Sequence, residues 1–208
     1  MIALMYVAPL TTVPVDPTLS GEPDIEEINQ KSGIADYLFQ SDINLTEEQL
    51  DWLEKEAALA GTTRPKRQVA SNAALWPNKR VYYHYAASIG KKLFHLYYPY
   101  KLHHYYSFSD ARMKTINATA PNRVRVFKGT GCWSNIGMIG GVQDLSLGNG
   151  CDVVGIVAHE FSHTLGTFHT QMRSDRDDYV AIDLRNVPVS FAYKRFFETC
   201  VHCLSVKM

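Results

Sequence analysis

Residues 159–169 read His159-Glu160-Phe161-Ser162-His163-Thr164-Leu165-Gly166-Thr167-Phe168-His169, and no other stretch constrains the fold as much. Val153–Leu165 has no helix breaker apart from Gly155 and carries a helical period. On a helix, His159 and His163 stack one turn apart on one face, where both imidazoles reach a single ion. Glu160 follows His159, beside the ion but outside its ligand set, which is the position of a general base acting on water. Gly166 tolerates φ > 0, so it ends the helix and turns the chain. His169 then returns as a third ligand. Three neutral imidazoles leave one position open, the pattern of a catalytic zinc. A structural zinc would take a fourth protein ligand, often Cys, and no cysteine lies between Cys151 and Cys200. By ordinary residue usage, His-Glu-x-x-His arises by chance in a chain this long with a probability of about 1%.

The 208 residues have room for one ordinary domain plus a smaller segment. Hydrophobic residues make up 46% and charged residues 20%, the balance of a globular protein. Lys+Arg and Asp+Glu are both 21, so the basic excess of a nucleic-acid binder is missing. No apolar run is long enough for a transmembrane helix. Met1–Ala8 is apolar but short and lacks a basic start, so it reads as a weak signal peptide. The sequons at Asn44 and Asn117 fit secretion and are also common by chance.

The chain divides near residue 67. Before it, Pro9, Pro14, Pro17 and Pro23 punctuate an acidic, loop-like start. A helical pattern runs over Ile25–Tyr37. A second helix begins at Thr46, an N-cap, with Gln49 completing a capping box. It runs through Leu50, Leu53, Ala57 and Leu59 to a stop at Gly61. Arg64-Pro65-Lys66-Arg67 is either a solvated linker or a cluster read by a subtilisin-like processing protease. From Gln68 onward the pattern is mixed, with strands expected at Val81–Tyr85 and Val124–Phe127. Gly129–Gly150 is rich in Gly, Asn and Ser and reads as a loop region holding Cys132 and Cys151. Residues 82–106 are rich in tyrosine and hold His84, His95, His103 and His104. Adjacent His103 and His104 point apart on any regular element, which argues against a second metal site there.

His159–His169 resembles the extended zinc signature of the metzincins. Arg173-Ser174-Asp175-Arg176-Asp177 narrows the likeness to the astacin family. Phe127–Ser134, Gly140-Gly141 and Leu145–Cys151 also look like astacins, and Leu75-Trp76-Pro77 resembles the start of the mature enzyme. The resemblance implies an α+β fold: a metzincin-like N-terminal subdomain, with a twisted sheet and a zinc-binding active-site helix, behind a partly helical prosegment. It divides the chain into 1–67, signal peptide and inhibitory prosegment, and 68–208, the catalytic domain. It implies a secreted zinc endopeptidase acting on polypeptides, with one zinc ion on His159, His163 and His169 and Glu160 as general base. Phe39-Gln40-Ser41-Asp42 matches the prosegment motif Phe-x-Gly-Asp, whose aspartate binds the zinc. Ser41 replaces the glycine and resists its backbone angles, so latency is expected to be less tight. Asp42 is otherwise an ordinary loop aspartate. The resemblance also implies a Cys132–Cys151 disulfide, a substrate-binding edge strand at Cys132-Trp133-Ser134, and processing at Arg64, Lys66 and Arg67.

The sequence also departs from the family. The Met-turn, Ser-x-Met-His-Tyr, has no counterpart after His169. The early family cysteine is absent near Thr119-Ala120, and Thr170 stands where the family has a glutamate that helps anchor the new N-terminus, here Gln68. Cys200-Val201-His202-Cys203 reads as a redox pair, a metal clip or a divergent tail. The expectation is therefore a catalytic domain shortened at its C-terminus, with weak activity or none. The rivals are an inactive zinc-binding or interaction protein and an incomplete gene model.

Overall fold

The computed structural model describes residues 24–58, 74–89, 112–114 and 118–170. Its strands are β1 (Ile43–Asn44), β2 (Arg80–Tyr85), β3 (Arg112–Lys114), β4 (Arg123–Phe127), β5 (Cys132–Asn135) and β6 (Val142–Leu147). Its α-helices are α1 (Ile25–Lys31), α2 (Glu47–Ala58) and α3 (Val154–Thr164). The strands form one sheet in the order β1-β5-β6-β4-β2-β3. Only β5 and β6 pair antiparallel; the other neighbours are parallel.

The strands expected at Val81–Tyr85 and Val124–Phe127 are present as β2 and β4. Val81, Tyr83, Val124 and Val126 are buried and cluster with Leu145 and Leu147 of β6 and with Ile156, Val157 and Phe161 of α3. The Tyr83 ring meets Phe161 edge-on at 5.7 Å. On the other face of β4, Arg125 forks onto Asp144 through two 2.7 Å hydrogen bonds. One helix packed on one face of a mixed sheet is the expected α+β architecture.

Two local expectations are corrected. The region Gly129–Gly150 is not a loop: it contains β5 and β6. Its glycines sit at the turns, with Gly131, Gly137, Gly140, Gly141 and Gly150 all at positive φ. Gln143 takes the inward position beside Leu145 and Leu147 while Val142 is exposed, so no apolar alternation marks the strand. Gln143 and Ser146 are buried and satisfied by backbone oxygens, Gln143 Nε2 by Gly137 O at 2.8 Å and Ser146 Oγ by Gly131 O at 2.9 Å. The pattern over Ile25–Tyr37 is likewise not one helix. α1 stops at Lys31, Gly33 turns the chain at φ 73°, and a 3-10 turn follows at Ala35–Tyr37.

The capping box holds. Thr46 N donates to Gln49 Oε1 at 3.0 Å and Gln49 N to Thr46 Oγ1 at 3.2 Å. The Cys132–Cys151 bridge is present, with Cα atoms 5.7 Å apart. It ties the start of β5 to the approach to α3, and by loop entropy contributes about 3 kcal/mol. Met1–Ala8, Leu59, Gly61, Arg64, Lys66, Arg67, His95, His103, His104, Asn117, Cys200 and Cys203 lie outside the described residues.

Residues 25–45 are built into this core. Ile28 joins the main cluster, and Ile43 packs with Ile136 against Phe39, Leu45 and Phe168. Asn29 is fully buried and acts as a strand partner for Cys132. Its Nδ2 donates to Cys132 O at 2.6 Å and to Ser41 O at 2.8 Å, while its Oδ1 accepts from Cys132 N at 2.7 Å. Gly131 leaves room for it, since a Cβ there would collide with Asn29 Oδ1 and Ile34. Asn29→Ala is expected to cost about 2–4 kcal/mol, because it strands buried backbone groups. Urea unfolding of the full chain measures this, and an unchanged midpoint would mean that Asn29 adds nothing.

Candidate metal centre

α3 carries two of the expected ligands, and the turn after it carries the third. The helix puts His159 and His163 in register, with ring centroids 4.5 Å apart and Nε2 atoms 2.9 Å apart. Gly166, at φ 96°, lets its own N–H reach His163 O at 2.7 Å while Thr167 N reaches Ser162 O at 3.1 Å. That turn returns His169, whose Nε2 lies 3.1 Å from His159 Nε2.

A fourth donor comes from far upstream. Asp42 Oδ2 lies 3.0 Å from His159 Nε2, 3.1 Å from His169 Nε2 and 3.8 Å from His163 Nε2. Phe39 and Ile43 bracket the tight turn that presents it, through Phe39 N to Ile43 O at 2.9 Å and Ile43 N to Phe39 O at 3.0 Å. Within that turn Gln40 has φ 52° and Ser41 φ 73°. Ser41 therefore takes the left-handed conformation that glycine accepts freely, at a cost of about 1–2 kcal/mol. Outside the turn, the Phe39 ring meets Phe168 edge-on at 6.0 Å, next to His169.

The donor set fits a cation. His163 Nδ1 donates to Thr167 O at 2.7 Å and His169 Nδ1 to Gln40 Oε1 at 2.8 Å. Both acceptors lack a proton, so in the neutral rings Nε2 is a bare lone pair. Two such lone pairs, a carboxylate oxygen and His159 Nε2 all lie within 4.8 Å of one another. Without a positive charge between them this crowding is repulsive. A tetrahedral zinc with Zn–N of 2.0–2.1 Å holds its donors about 3.3 Å apart, inside the observed spread.

Glu160 is fully buried, and among the described residues neither of its carboxylate oxygens has a hydrogen-bond partner. Burial, reinforced by the Asp42 charge, pushes its pKa well above the ordinary value. Ser134, in the expected edge strand β5, meets Thr164 of α3 through their hydroxyls at 3.1 Å. The outer side of β5 is occupied by β1, with Ile43 opposite Ser134 and Asn44 opposite Asn135.

The model of the astacin peptidase family matches residues 68–201. The chain belongs to the astacin family. Zinc metalloproteinase nas-32 of Caenorhabditis elegans is 45% identical over 170 residues, which cover 80% of this chain and 25% of that protein. Meprin A subunit beta of Mus musculus is 49% identical over 82 residues, 36% of this chain and 12% of that one. The chain thus spans about a quarter or less of the length of these two relatives. A solved structure, high choriolytic enzyme 1 of Oryzias latipes, a hatching enzyme zinc-protease, aligns at 26% identity and a TM-score of 0.42. The alignment covers 64% of this chain and 66% of that one, too loosely to carry an argument.

In this astacin-family chain the three histidines and Glu160 fall inside the matched stretch, while Asp42 and Gln40 precede it. The sequence pointed to Asp42 through its motif. Gln40 and Asn29 were missed: Gln40 fills the variable position of that motif, and nothing local marks Asn29.

Proposed function

We propose that this chain is the latent form of a secreted zinc endopeptidase, with the catalytic part in 68–208. Residues 1–67 are then a weak signal peptide and an inhibitory prosegment, removed by a subtilisin-like processing protease that reads Arg64, Lys66 and Arg67. The observation that carries this reading is Asp42 Oδ2 lying within 3.8 Å of all three histidine Nε2 atoms. A zinc ion held by His159, His163 and His169 supplies Lewis-acid polarisation of a scissile carbonyl and of water. Asp42, whose Oδ2 faces all three rings, would be a further donor to such an ion and would exclude water there. Once Asp42 has left, Glu160 takes a proton from the attacking water and delivers it to the leaving amine. Among the described residues its carboxyl has no hydrogen-bond partner, and the departure of Asp42 removes a charge that favours its protonated form. Departure of β1 opens the outer edge of β5, where the backbone of Cys132-Trp133-Ser134 pairs with an extended polypeptide. Secretion agrees with the disulfide, which persists in oxidising compartments. No helix among the described residues is long and apolar enough to cross a membrane.

The first test is metal content. The purified chain is expected to hold about one zinc per molecule, by the ligand-count rule for such sites. The His159→Ala, His163→Ala, His169→Ala triple variant is expected to hold none. Elemental analysis reads both, and equal zinc in the two would sink the assignment.

A further inference from the structure

We infer that Gln40 is a positioning residue for the metal centre, so that the turn carrying Asp42 tightens metal retention beyond the ligand it donates. The inference rests on reading His159, His163 and His169 as ligands, and it deepens that reading.

The three rings differ in what orients them. His159 and His163 sit on α3, and the helix sets where their Cβ atoms point. His163 is further fixed by Thr167 O, four residues away in the turn closing the same helix. His169 lies beyond that turn, where helix spacing no longer fixes a direction. Its Nδ1 partner is Gln40 Oε1 at 2.8 Å, a residue 129 positions earlier in the chain.

A carboxamide oxygen only accepts, so this bond places the His169 proton on Nδ1 and leaves Nε2 bare for an ion. It also pulls electron density toward the ring and raises its basicity as a ligand. The same short turn thus addresses both nitrogens of one imidazole, Gln40 at Nδ1 and Asp42 Oδ2 at Nε2, 3.1 Å away. Phe39 braces the arrangement against Phe168.

The test measures zinc affinity of the uncleaved full chain by competition with a chromophoric chelator. Gln40→Met keeps the length and removes the acceptor, and it is expected to weaken zinc binding about 10–100-fold, the usual effect of losing such an outer partner. Gln40→Glu keeps an acceptor oxygen and is expected to bind zinc at least as well as the parent. In a His169→Ala background, Gln40→Met is expected to change nothing further, because its effect passes through that ring. Undiminished affinity in Gln40→Met overturns the proposal. So does an equal loss in the His169→Ala background, or a lowered metal-free unfolding temperature, since either assigns the effect to the turn itself. Full zinc affinity in His169→Ala alone overturns the ligand reading beneath it.

Discussion

Glu160→Gln is expected to keep zinc at the parent level and to lower peptide hydrolysis by about 10²–10⁴ once the segment before Gln68 is removed, the range for losing a general acid–base. The substitution keeps the side chain's shape and removes only its ability to take a proton. It also removes a carboxyl whose pKa burial raises well above the ordinary value, so folding should not suffer. The assay is hydrolysis of a denatured protein, with zinc measured on the same samples. Equal turnover by variant and parent would remove Glu160 from the chemistry. Zinc binding without turnover by the parent would instead favour an inactive zinc-binding protein.

Asp42→Ala in the uncleaved chain is expected to act in the opposite direction. Asp42 is the carboxylate that the upstream turn places against the three imidazoles, so losing this donor should raise the open population about 10–100-fold. The readout is hydrolysis of a short quenched peptide before any processing. The gain should be incomplete, because Asn29 and β1 still cover β5. Combining Asp42→Ala with Asn29→Ala should therefore release more activity than either change alone. If the Asp42 variant retains zinc and gains no activity, something other than Asp42 closes the site.

The histidine cluster was legible because helical geometry converts a four-residue spacing into one face, and Gly166 marks the turn that returns His169. The capping box at Thr46 and Gln49 and the strands β2 and β4 were legible for the same kind of local reason. β6 was not, because Gln143 stands inward beside Leu145 and Leu147 while Val142 is exposed, and Ser146 is buried on the opposite face. Their partners are carbonyls of Gly137 and Gly131, which no side-chain pattern reveals. Asn29 is harder still, since it replaces a strand with a side chain across 103 residues. Ser41 was expected to resist the glycine conformation, yet the turn holds it there at φ 73°. Phe39, Ile43 and the contacts of Asp42 overrule the local preference.

Asn29, Gln40 and Asp42 belong to the same molecule as the histidines and the strand they contact. While the backbone between residues 58 and 74 is intact, their docking is a unimolecular equilibrium, indifferent to protein concentration. A single cut in that stretch leaves every contact in place and changes the order of the reaction. The freed piece then competes at its own concentration, and occupancy falls on dilution. A concentrated, freshly cut sample should therefore remain inhibited, and should wake simply on being diluted.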